Sequence, residues 1–142
     1  MNIIALGPNS WNGPWMNRQQ ILSRLANHHD ITYSTQLITN WELNSVNNQK
    51  RNWFSQFTKF DGVWVYSAPK WLVKFPKFPK LANLVDKIDA TQLLKFSKKL
   101  HSEKTLVYAF RPEFLPYIDH INPDYLIYHI YDVFDGEESW NE

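Results

Sequence analysis

Five short apolar runs, at residues 2–6, 30–34, 63–66, 105–109 and 125–131, constrain this chain more than any other feature. Each has the length of a buried strand, and helix-patterned or loop segments separate them. Residues 17–27 place Ile21, Leu22, Leu25 and Ala26 on one apolar face. Asn17 with Gln20 resembles a capping box there, and Met16 with Ile21 a hydrophobic staple. Strand, helix and strand within about 35 residues make a βαβ unit with parallel strands. Residues 41–57 read as a second helix, weakened by their asparagines, and Asp61-Gly62 as a turn. Leu81, Leu84, Val85, Ile88, Leu93, Phe96 and Leu100 describe one long helix or two short ones. Pro112 and Glu113 suit a first helical turn that ends before Asn122-Pro123. The expected fold is α/β: a Rossmann-like, doubly wound parallel sheet of about five or more strands, with helices on both faces.

Composition narrows the function classes. The 142 residues suit one domain, and 44% hydrophobic content allows a sizeable core. No cysteine is present, so disulfides and thiolate chemistry are excluded. The first residues lack the basic region of a signal peptide, and no apolar run reaches about 18 residues. A net charge of +1 argues against a nucleic-acid partner. That balance hides segregation: residues 70–104 carry nine lysines against three acids, and residues 112–142 carry eight acids without Lys or Arg. Such asymmetry points to a surface partner.

Ligands of doubly wound sheets bind beyond the carboxyl ends of the strands. The loops after Leu6 and Tyr66, Arg111, and the segment after Tyr131 are therefore the places to look. Neither GxGxxG nor GxxxxGK[ST] occurs, and no GxSxG elbow is present. His28-His29 reads as two exposed histidines at a helix end rather than as part of a metal site, and no metal is expected. In the first loop, Trp11 and Trp15, Gly13 and the nearby Arg18 offer aromatic faces and a cation beside a helix N-terminus, suited to sugars and anionic groups. Packing of both tryptophans over the sheet end explains them equally well.

The run Trp11-Asn12-Gly13-Pro14-Trp15-Met16-Asn17-Arg18-Gln19-Gln20-Ile21-Leu22, directly after the first strand, resembles the opening of two-domain GT-B-type glycosyltransferases that build bacterial cell-surface polysaccharides. Tyr131-Asp132-Val133-Phe134-Asp135 resembles their sequence before an active-site helix. The resemblance implies that residues 1–142 form an acceptor-binding N-terminal domain, with a donor-binding C-terminal domain missing. It implies transfer of a sugar, hexosyl in type, from a nucleotide-sugar co-substrate to a cell-envelope glycan or lipid-linked acceptor, without another cofactor. The fragment alone would be inactive.

Asp132, just past a buried strand, is the expected general base, since an inverting transfer needs a carboxylate at the acceptor hydroxyl. It suits a helix cap or a pair with Arg111 as well. Asp135 with Glu138 reads as a helix cap, and His129 as a satisfied core histidine. Trp11, Gly13, Arg18 and Arg111 are the expected acceptor contacts, with Arg18 meeting a phosphate or carboxylate. Lys70, Trp71, Lys74, Phe75, Lys77 and Phe78 alternate cations with large apolar groups in a proline-rich loop. They either cover the sheet edge or contact an anionic membrane. The expected location is cytoplasmic, with peripheral attachment to the inner leaflet. A different class of function, a stand-alone non-enzymatic Rossmann- or flavodoxin-like binding module, is compatible with the same residues.

Overall fold

A computed structural model describes residues 1–35, 37–45, 51–100 and 104–130. The chain order is β1 (Asn2–Gly7), α1 (Asn17–Leu25), β2 (Asp30–Thr35), β3 (Gln56–Phe60), β4 (Val63–Ser67), α2 (Pro79–Leu100), β5 (Thr105–Ala109), α3 (Leu115–Ile121) and β6 (Tyr125–Tyr128). These form one six-stranded sheet ordered β3-β4-β2-β1-β5-β6. All neighbours are parallel except β3 and β4. β1 is buried along its whole length because it lies mid-sheet and is covered on both sides.

Alternation along β1 divides the core. Ile4 and Leu6 join Val107 and Ala109 under α2 and α3, through Val85, Leu93, Phe114 and Tyr117. Ile3 and Ala5 join Ile31, Tyr33 and Leu106 under α1, through Leu22. Successive strand residues face opposite sides, so a fully apolar strand needs helices on both faces. The doubly wound α/β architecture is thus present, with one antiparallel edge.

Two sequence readings need correction. Residues 41–57 are not one helix: a 3₁₀ turn covers Asn40–Glu42, and Gln56–Phe60 is a strand, while residues 46–50 lie outside the described residues. The Asp61-Gly62 turn, with φ of 47° and 83°, closes a hairpin between β3 and β4. Positive φ at both central residues is the twist that two-residue hairpins require. The cap of α1 is shifted by one: Met16 is the N-cap, and Gln19 Oε1 accepts its N–H at 3.0 Å.

Of the two alternatives for residues 81–100, the one long helix is what forms, as α2. Its buried face is Ala82, Val85, Asp86, Asp89, Ala90, Leu93 and Ser97, while Leu81 and Leu84 are exposed. Two aspartates replace leucines in the interior because each finds partners there. Lys74 Nζ meets Asp86 Oδ2 at 2.7 Å. Tyr66 and Tyr117 donate to the two oxygens of Asp89 at 2.6 and 2.7 Å. Unpaired, either carboxylate would cost several kcal/mol, of the order of a broken buried ion pair.

Candidate functional site

The carboxyl ends of β1, β2 and β4 open into a cleft of about 640 Å³. The loop leaving β1 forms one wall through Asn9, Trp11 and Asn12. Ser34 and Thr35 end β2, and Ser67 and Ala68 follow β4 on the other side. β1 and β5 flank the point where the chain reverses its direction of sheet growth, so the first loop starts where ligands of such folds gather.

Two buried polar side chains hold that loop. Tyr33 Oη donates to the Asn9 carbonyl at 2.6 Å. Gln19 Nε2 donates to the carbonyls of Trp11 and Pro14, at 3.2 and 3.3 Å. Trp11 packs edge-on against Tyr33, with ring centroids 5.1 Å apart, and is almost completely buried. Its ring therefore braces the wall, while Asn9 and Asn12 are exposed.

Among the described residues, Arg51 and Glu42 are the charged groups that line the cleft. Arg51 Nε donates to the Ala68 carbonyl at 3.1 Å, which fixes the guanidinium, and burial lowers its pKa. Glu42 Oε2 is engaged by Thr39 N and Oγ1, at 2.8 and 2.9 Å. Tyr66 lines the cleft and connects it to buried Asp89. Burial raises the Asp89 carboxyl to about 6, and the two tyrosines and Arg51 oppose that rise. Burial and the adjacent carboxylate push both phenols well above the ordinary tyrosine range, so they act as donors.

Of the expected acceptor contacts, only Trp11 lines this cleft. Gly13 is half-buried in a turn, its N–H donating to Ser10 at 3.2 Å. Arg18 is 1% exposed under the first turn of α1. Arg111 is exposed at the start of the 3₁₀ turn Pro112–Phe114. Asp132, Asp135 and Glu138 lie outside the described residues. His129 Nδ1 lies 2.7 Å from Tyr108 Oη and is half-buried. Arg51, Glu42 and Asp89 were not singled out from sequence: the first two lie in the stretch read as helix, and Asp89 reads as a solvent-facing helical acid.

A second surface gathers aromatic groups. Trp71, Phe75 and Phe78 are exposed, whereas Leu72 and Val73 between them are buried. Trp41, Trp53 and Phe54, from segments beside this loop, are exposed too. Trp71 Nε1 donates to the Trp53 carbonyl at 2.9 Å, and Lys77 Nζ sits 5.4 Å from the Trp41 ring centre. A hollow of about 300 Å³ between Trp53, Phe54 and Trp71 is rimmed by Lys95 and Lys99. Lys70 is half-buried, and Lys74 is committed to Asp86.

No protein-family model, curated protein or solved structure matches this chain. Among the described residues, no cluster of metal-ligating side chains occurs. None of their helices is long and apolar enough to cross a membrane.

Proposed function

We propose that this chain is the acceptor-binding domain of a glycosyltransferase that moves a sugar from a nucleotide donor to a cell-envelope glycan or lipid-linked acceptor. The observation that carries the reading is the cleft over β1, β2 and β4. Its walls combine amides and hydroxyls (Asn9, Asn12, Ser34, Thr35, Ser67) with aromatic rings and the charged side chains of Arg51 and Glu42. Amides and hydroxyls pair with sugar hydroxyls in both directions, and aromatic faces accept the apolar side of a sugar ring. The Trp11–Gln20 motif supports the same reading, because Trp11 and Gln19 shape the wall of this cleft.

In this reading Asp132 removes the proton from the acceptor hydroxyl as that oxygen attacks the donor sugar, and the nucleoside diphosphate leaves. A donor-binding domain supplies the contacts to the nucleotide. The protein works in the cytoplasm at the inner leaflet, where Trp71, Phe75 and Phe78 enter the interface. Lys70, Lys77 and Lys80 face the anionic headgroups, each adding about 1 kcal/mol.

The test is sugar transfer by the full polypeptide with its donor-binding domain. Asp132→Asn should lower turnover by about 10²- to 10⁴-fold, the range a general base supplies. Unchanged turnover removes Asp132 from the mechanism, and absence of transfer by the unaltered protein from any nucleotide sugar removes the reading.

A further inference from the structure

Arg18 is a buried cation without an anion among the described residues. Its side chain is 1% exposed, and Nε and Nη2 have no hydrogen-bond partner. Nη1 has only the Met16 thioether, at 3.1 Å. Sulfur is a weak acceptor, and no carboxylate among the described residues pairs with this guanidinium. Buried charges are ordinarily paired, and buried donors are ordinarily satisfied.

The location supplies a second reason to expect an anion. Arg18 lies in the first turn of α1, where Gln19 and Gln20 N–H donate to the Met16 carbonyl at 3.0 and 3.3 Å and the N–H groups of Asn17 and Arg18 have no acceptor among the described residues. The residue at the N-cap is Met16, which makes no side-chain cap and has no oxygen to offer. The contact between Arg18 Nη1 and Met16 Sδ places the guanidinium at that end, which Gln19 Oε1 closes at the Met16 N–H alone. The positive end of the helix dipole and a guanidinium fork thus converge on one spot, the combination that holds phosphate and carboxylate groups.

We propose that Arg18 and the N-terminus of α1 form a binding site for a single oxyanion, a phosphate or carboxylate, carried by the ligand of this domain. Met16 covers the site. Its side chain is 44% exposed and unbranched, so it can swing into solvent while the anion oxygens take the place of its sulfur. Guanidinium Nη1 and Nη2 then donate to two oxygens, and the N–H groups of Asn17 and Arg18 reach the same anion. That the anion belongs to a sugar acceptor, which would make the acceptor a glycosyl phosphate or an acidic glycan, rests on the glycosyltransferase reading. The anion site itself does not.

The experiment titrates the full chain with inorganic phosphate, and with sodium chloride at matched ionic strength, reading both melting temperature and ¹⁵N shifts. Wild type should gain several degrees when phosphate exceeds its dissociation constant a hundred-fold, with shifts at Asn17, Arg18 and Gln19. Arg18→Met keeps the volume and removes the charge, and should show no gain. Equal gains in both proteins, or no phosphate-specific gain in wild type, overturn the proposal. If the variant fails to fold, the wild-type shifts decide alone: changes confined to other amides, or none, overturn it. Parallel titrations with a hexose 1-phosphate, a hexuronic acid and a neutral hexose separate the sources. Phosphate binding at Arg18 with no sugar bound in the cleft keeps the anion site and removes the acceptor. Neutral sugar bound without any phosphate effect removes the anion site and leaves the glycosyltransferase reading standing.

Discussion

The Tyr33 phenol occupies the space where a side chain on Gly7 would be, and its hydroxyl donates to the Asn9 carbonyl two residues further on. Strand β2 thereby sets the path by which the chain leaves β1. Gly7 is needed here for close approach, since its φ is not positive. A Cβ at this position would overlap the phenol ring itself. Gly7→Ala should therefore cost about 2 kcal/mol or more, as overpacking of a filled core does. Adding Tyr33→Leu to Gly7→Ala should recover part of the loss, so the pair falls short of additivity. Urea unfolding of the four proteins checks this; strict additivity would contradict the steric account.

Asp89 should give the protein an unusual acid response. Its folded pKa is about 6 against an ordinary 3.8, so the folded state holds the extra proton between those values. The stabilisation from protonation is fully present below pH 3.8 and is lost as the pH rises through 6. Tyr66 and Tyr117 hydrogen-bond to the carboxyl, Arg51 attracts its charge, and Asp86, itself paired with Lys74, repels it. Asp89→Asn should flatten this component, worth about 1–3 kcal/mol by linkage. Stability curves from pH 4 to 7 for both proteins check it, and identical slopes would contradict it.

Association with anionic membranes should depend on both charge and aromatic exposure. Lys74 belongs to Asp86, so its removal should affect stability more than binding. Liposome flotation at low salt should recover the chain with anionic vesicles and lose it at about 0.5 M salt, where charges are screened. The triple change Trp71→Ser, Phe75→Ser, Phe78→Ser should abolish recovery. No flotation of the unaltered chain at low salt would return these residues to a purely structural role.

Much of this architecture was legible because central strands of a parallel sheet are apolar runs with unambiguous ends. Residues 2–6, 30–34, 63–66 and 105–109 lie in strands for that reason. β3 was hidden by its composition: as an edge strand with mostly exposed residues, Gln56–Phe60 has no apolar run to announce it. The Asp61-Gly62 pair, a strong hairpin signal between Phe60 and Val63, was the available clue. Asp86 and Asp89 escaped because helical periodicity assigns acids to the solvent face, and only tertiary partners at Lys74, Tyr66 and Tyr117 reverse that. At the cleft, Trp11 is the expected first-loop contact that lines it, whereas Gly13 and Arg18 do not. Arg51 was not legible, because its role depends on the Ala68 carbonyl, seventeen residues away.

The central claim is that the cleft over β1, β2 and β4 binds sugars, and saturation-transfer NMR tests it most directly. Hexoses, N-acetylhexosamines and their disaccharides would be presented to the chain in turn. At least one should receive saturation at its ring protons and shift the ¹⁵N resonances of Asn9, Asn12 and Thr35. Ser67→Trp, an exposed substitution that fills the cleft, should remove both effects. No transfer to any of these sugars, or transfer that persists unchanged in Ser67→Trp, would contradict the account.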